Sequence, residues 1–202
     1  RSPHAHARIK SIDITDALAI PGVHAVITGE DFPGGGISGE IDGEGGGSIS
    51  DQAKNVIARD KVLYHGHALA AVAAISDRAA DRALDAIKVE YEVLSPVLDI
   101  LEAIDPDSVL VNENNYTKLP EKPDRPSNIA NVGNLVRGDI QEGFERADVV
   151  IEREYVCPMT HQGYIEPHSC LASVDEEGKG TVWCSTQGHF EFRNQTASIL
   201  KK

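Results

Sequence analysis

ALAAVAAISDRAADRALDAIKVEYEV, residues Ala68 to Val93, passes through three hydrophobic patterns in succession. Ala68 to Ile75 is apolar with no polar alternation, which predicts a strand buried on both faces. Ser76 or Asp77 then offers an N-cap. Beyond it Ala80, Leu84 and Ile87 recur at helical spacing opposite Arg78, Asp81, Arg82 and Asp85, the pattern of an amphipathic helix lying on a sheet. Val89, Tyr91 and Val93 alternate with Glu90 and Glu92, giving a half-exposed strand that Ser95 and Pro96 end. Toward the N-terminus, Ala7 to Ile14 alternates as a strand, and Thr15 is expected to cap a short helical run over Asp16 to Ile20 before Pro21 and Gly22 break it. Val23 to Ile27 reads as a strand. Thr28 to Phe32 reads as a further helical turn, capped by Thr28 and closed by Pro33, and order returns at Val62 to Tyr64. The resulting order, β-α-β-β-α-β, defines an α+β fold.

Between these elements lies a change of composition. Nine glycines fall from Gly29 to Gly47, accompanied by Glu40, Asp42 and Glu44, so a mobile acidic loop is expected. A phosphate-cradling role is disfavoured there, because no Lys follows a final Gly, no strand-GxGxxG-helix context exists and the carboxylates repel phosphate. Further on, Pro106, Pro120, Pro123 and Pro126 with Asn112, Asn114 and Asn115 leave no regular period, which predicts an extended linker joining two domains. From Asn134 the pattern resumes. Gly138 and Asp139 precede a short helix over Ile140 to Ala147, and Val149 to Val156 alternates as a strand. Leu171 to Val174 and Thr181 to Ser185 form a hairpin turned at Gly178 and Gly180, and Gln187 to Leu200 is a candidate helix.

The chain has 202 residues, with 32 Asp and Glu against 19 Lys and Arg, a formal charge of −13. That field repels phosphate backbones and anionic headgroups, so no nucleic-acid or membrane partner is expected. No apolar run reaches the roughly 18 to 20 residues that cross a bilayer. The first residue is Arg1, with no signal-peptide pattern after it, and the sequence is expected to begin inside a longer gene product. Cys157, Cys170 and Cys184 are an odd number at wide spacing, which predicts buried, reduced thiols in a cytoplasmic protein rather than a disulfide framework.

Candidate chemistry is sparse. His4 and His6, and likewise His65 and His67, would share a face if their segments were strands, yet no Cys or carboxylate completes either pair at a metal spacing, so no metal site is assigned. No Ser or Cys stands in a nucleophile motif, and no catalytic residue is assigned. Gln187, where a strand feeds a helix, occupies a position suited to orienting a cofactor; taken alone it also suits a helix cap or a surface amide.

Taken in order, RSPHAHARIKSID, IPGVHAVITGEDFP, VLYHGHALAAVAA, DRAADRALDAIKVEYEVLSPVLD, GDIQEGFERADVVIEREY, HQGYIEPHSCLA and TVWCSTQGHFEFRNQTASIL resemble the large, molybdenum-binding subunits of the xanthine dehydrogenase, aldehyde oxidase and carbon monoxide dehydrogenase group. The resemblance implies an α/β hammerhead domain over 1–104, an extended linker over 105–133 and the beginning of a molybdopterin-binding domain over 134–202. It implies a molybdopterin cofactor, with iron-sulfur clusters and FAD on partner subunits or domains, a small-molecule substrate and an oligomeric assembly. The implied chemistry is hydroxylation of an N-heterocycle or aldehyde, or a hydroxybenzoyl-CoA reductase-like reduction. Gln187 in STQ matches the family glutamine that hydrogen-bonds a molybdenum oxo ligand, a role a neutral amide fills without adding negative charge. Glu166 in YIEP also matches a family position and reads as structural support. The family's catalytic glutamate, with its glycine-rich and arginine-bearing segments, would lie after Lys202, so this chain alone is expected to be inactive. The competing expectation is a stand-alone hammerhead module for binding or assembly, without catalysis.

Overall fold

Strand β1 (Ala7–Asp13) pairs antiparallel with the last strand of its domain, β7 (Lys88–Val93), and β2 (Val23–Thr28) pairs antiparallel with β6 (Ala70–Ala74). This nested pairing organises the computed structural model, which describes residues 1–32, 40–41, 47–48 and 53–201. A short strand β5 (Lys61–Val62) adds to the free edge of β1, so the sheets run β5-β1-β7 and β2-β6. Two-residue strands β3 (Glu40–Ile41) and β4 (Gly47–Ser48) pair with each other. The expected mobile acidic loop and its disfavoured phosphate role fall mostly outside the described residues.

Helices α1 (Thr15–Leu18) and α2 (Asp77–Ala86) follow β1 and β6 and supply the second layer. Ala7, Ala58, Val62 and Leu69 form one buried cluster, with Ile9, Ile12, Val89 and Tyr91 against it. Ala17, Val26 and Ala83 form another, between the helices and the β2-β6 sheet. Side-chain chemistry fixes the element ends as the sequence suggests. The Ser76 hydroxyl accepts from the Ala79 N–H, and the Thr28 hydroxyl accepts from Glu30 while Asp31 reaches back to the Thr28 N–H at 2.7 Å, a capping box on the 3₁₀ turn Gly29–Asp31.

Three expectations for this domain change. β6 is not buried on both faces: its residues alternate between half-buried and exposed, because it pairs only with β2 and one face of that two-stranded sheet lies open. The buried stripe of α2 is Ala79 and Ala83, flanked by Ala86 and Ile87, while Leu84 is 49% exposed; alanines let the helix backbone approach the sheet where leucine would hold it off. At α1, Thr15 is the first helical residue and the N-cap position is Ile14, which has no side-chain cap; the preceding Asp13 carboxylate accepts from the Thr15 N–H at 2.9 Å. That bond holds the Asp13 carboxyl below its ordinary range.

The proline-rich stretch is folded onto itself rather than simply extended. After α3 (Ile100–Ile104), Asn128 accepts from the Val111 N–H and donates to the Val109 carbonyl, Asn115 donates to the Ser127 carbonyl, and Lys118 forms a bridge with Asn131. Asparagine side chains replace the backbone pairing that proline forbids. The loop is fastened to the domain by Lys61, which donates to the Leu110 carbonyl and to Glu113 at 2.8 Å.

Contacts divide the chain into one unit of Arg1–Val132 with Phe190–Lys202 and another of Gly133–His189. In the latter, α4 (Ile140–Arg146) is capped by Asp139, and β8 (Cys170–Val174) pairs with β9 (Gly180–Cys184). The alternating run Val149 to Val156 forms no strand: no neighbouring segment among the described residues takes up its backbone groups, and a pattern without a partner is not a ladder. Its apolar side chains stay open, Val149 at 74% and Val156 at 81%. Helix α5 (His189–Leu200) closes the described chain. Among the described residues no helix is long and apolar enough to cross a membrane.

Candidate functional site

The two histidine pairs do not converge on a common point. His6 is 2% exposed, and its Nδ1–H donates to the Ser95 carbonyl at 2.7 Å, tying the chain before β1 to the end of β7. His67 is fully buried. Its Nδ1 accepts from the Leu63 N–H at 3.3 Å, so the ring hydrogen sits on Nε2 and is donated to the Asn55 carbonyl at 2.8 Å. His4 lies edge-on to Tyr91, and Tyr64 stacks on His67 at 4.4 Å. The segments themselves meet through backbone bonds, Ser2 N–H to the His67 carbonyl and Gly66 N–H to the Ser2 carbonyl. HAH and HGH are therefore structural latches that hold irregular backbone, a task exposed histidines near strand ends could not perform. Among the described residues no three His, Cys, Asp or Glu side chains gather as a metal would require.

A polar cluster forms instead in the Gly133–His189 unit, around the hairpin's open end. A turn in which the Gly178 N–H donates to the Asp175 carbonyl at 3.0 Å, with Gly178 left-handed (φ 82°), closes the hairpin, and the Asp175 carboxylate accepts from the N–H groups of Glu177 and Lys179. At the other end, β9 stops at Cys184 and the chain turns through Ser185, Thr186 and Gln187 into α5. The Ser185 hydroxyl donates to Glu166 at 2.9 Å, joining the HQGYIEPH segment to the STQ segment. HQGYIEPH folds on its own rings: Tyr164 packs between His161 and His168, and Gln162 donates to the Tyr164 hydroxyl. One Glu166 carboxylate oxygen is thus engaged by the Ser185 hydroxyl. Sequence reading missed Ser185; its only signal was its place two residues before Gln187.

Gln187 is exposed, and its amide makes no hydrogen bond among the described residues. A neutral amide donor suits an anionic group, since it adds hydrogen bonding without charge repulsion. An apolar groove of about 320 Å³ in the same unit, lined by Ile140, Phe144, Ala147 and Val149 to Ile151, offers no polar side chain and lacks the chemistry for such a group.

The fold is that of a hammerhead domain followed by the start of a cofactor-binding domain of the molybdopterin type. Residues 1–95 match the family model of the aldehyde oxidase and xanthine dehydrogenase a/b hammerhead domain, and residues 121–202 match that of the molybdopterin cofactor-binding domain. The chain belongs to the xanthine dehydrogenase and aldehyde oxidase family of molybdenum enzymes. It is 34% identical to the nicotinate dehydrogenase large molybdopterin subunit of Eubacterium barkeri over 200 residues, covering 99% of this chain and 42% of that protein. It is 32% identical to xanthine dehydrogenase/oxidase of Gallus gallus, covering 98% of this chain and 13% of that protein. The crystal structure of the Cu,Mo-CO dehydrogenase superposes with a TM-score of 0.74 at 28% identity, over 100% of this chain and 25% of that one. The chain therefore spans less than half the length of these relatives.

Proposed function

We propose that this chain is the hammerhead and leading cofactor-domain portion of the molybdenum-binding subunit of a xanthine dehydrogenase-like oxidoreductase. It divides into a hammerhead domain over 1–104, a connecting segment over 105–133 and cofactor-domain residues over 134–202. The substrate class is an N-heterocycle or an aldehyde, with a hydroxybenzoyl-CoA reductase-like reduction as the alternative reaction on the same scaffold. Electrons pass to iron-sulfur and FAD partners in a cytoplasmic oligomer. The match of residues 121–202 to a molybdopterin cofactor-binding domain carries this reading.

Bound molybdopterin supplies a metal centre that accepts two electrons from the substrate. The contribution of this chain is orientation. Gln187 would hold the cofactor by donating from its amide, and Glu166 and Ser185 would fix the turn that presents Gln187. The test is Gln187→Ala in the complete, molybdenum-loaded enzyme. Loss of a hydrogen bond to a charged centre, about 1.5 to 3 kcal/mol, lowers turnover by roughly ten- to 150-fold at unchanged molybdenum content. Wild-type kinetics at full occupancy would refute the role of Gln187.

A further inference from the structure

Contrary to the expectation of buried thiols, Cys157 and Cys170 are exposed and Cys184 is half-buried. The hairpin register sets Cys170 directly opposite Cys184, at the open end of β8 and β9. The kind of pair they form follows from the turn. The Asp175 N–H donates to the Lys179 carbonyl at 3.1 Å, which marks 175/179 as a hydrogen-bonded position. The antiparallel alternation then makes 173/181 and 171/183 hydrogen-bonded, and leaves 174/180, 172/182 and 170/184 as the close, non-hydrogen-bonded pairs. Directly opposed residues project to the same face, and close pairs have Cα atoms about 4.5 Å apart, inside the roughly 4.4 to 6.8 Å that a disulfide spans. A bond between the two would close without breaking any ladder hydrogen bond.

We propose that Cys170 and Cys184 are a redox-active dithiol that forms a reversible cross-strand disulfide. The oxidant is a low-molecular-weight disulfide of the glutathione type. One cysteine, as thiolate, attacks it and forms a mixed disulfide, releasing the first small thiol; the second cysteine attacks the mixed disulfide and releases the other. One S–S bond forms in the protein and one breaks in the oxidant. Two electrons and two protons pass from the cysteines to give two small thiols. Exposed Cys170 is the entry point, and half-buried Cys184 resolves the intermediate. Cys157 lies outside the hairpin and has no opposing thiol in the register, so it is the internal control. The proposal is independent of any role for Gln187.

The test is oxidation of the full chain with oxidised glutathione under native conditions, followed by alkylation and peptide mapping. Cys170 and Cys184 lose reactivity together, a Cys170–Cys184 crosslink appears in monomeric protein, Cys157 stays free or carries glutathione, and dithiothreitol restores all three. Cys170→Ser and Cys184→Ser each stop at a glutathione adduct on the remaining cysteine. A second measurement needs no oxidant: phenylarsine oxide, which bridges paired thiols, is retained by the reduced wild type through dilution and lost from either variant. A crosslink involving Cys157, disulfide-linked dimers in place of the internal bond, or persistence of all three thiols together with equal arsenical retention by wild type and variants would overturn the proposal.

Discussion

Around β1 and β5, Ala7, Ala58, Val62 and Leu69 are no more than 4% exposed, whereas around β8 and β9 Leu171, Val174 and Trp183 are each more than half exposed. The two regions use the same vocabulary of antiparallel pairs, capped helices and glycine turns. They differ in layering. In the hammerhead region, α1 and α2 cover one face of the β2-β6 sheet, and Ala58 and Leu69 pack with the β5-β1-β7 strands, so burial adds to hydrogen bonding. In the Gly133–His189 unit, the hairpin has no second layer among the described residues, and an isolated two-stranded ribbon is marginal in water. Its shape is held by caps and turns: Asp139 on α4, Asp175 and Gly178 in the hairpin loop, Ser185 on Glu166. Local chemistry is enough to shape an element, while only a facing layer buries it.

Substitutions that separate these two sources of order test the contrast. The largest effect is expected from His67→Ala, which removes a fully buried ring and strands the Leu63 N–H and the Asn55 carbonyl. The loss is about 4 kcal/mol in urea unfolding of the hammerhead signal, with amide exchange of the β8-β9 hairpin unchanged. Next is Gly29→Ala. A Cβ there would stand 2.8 Å from the Arg59 Cα and 2.9 Å from the Ala58 carbonyl oxygen, where Arg59 also binds the Gly29 carbonyl, and backbone must move. We expect about 2 to 3 kcal/mol by the same unfolding measurement.

In the open unit, Asp139→Ala removes the cap that accepts from the Glu142 N–H at 2.9 Å. It should cost about 1 kcal/mol, seen as faster amide exchange confined to Ile140–Arg146. A matching slowdown of hammerhead folding would break the contrast. The smallest effect is a pH dependence. Burial alone would raise the Glu113 carboxyl, but the Lys61 ammonium, with a smaller contribution from Arg8, holds it below the ordinary carboxylate range. A carboxyl lowered by folding stabilises above its unfolded value, and the contribution disappears as pH falls through the folded value. Acidification below about pH 4 should therefore loosen the 108–131 loop. The change is less than about 1 kcal/mol, because the Glu113 side chain is half exposed and screened, and Glu113→Gln should abolish it in a urea-midpoint titration.

What lay in the sequence was whatever a few adjacent residues decide. Thr28, Ser76, Asp139 and Gly178 act at short range, and each performs the cap or turn its type suggests. The alternation of β1 and β7 was likewise visible, because one face of each meets a core. The family resemblance and the choice of Gln187 came from motif order alone. Tertiary structure decided everything that depends on a distant partner. It made His6 and His67 into backbone latches and gave α2 its alanine face. It left Val149 to Val156 without a ladder, and it set Cys170 across from Cys184. Caps and turns close over three or four residues, but burial and strand pairing depend on which surfaces meet, and that information is spread over the whole chain.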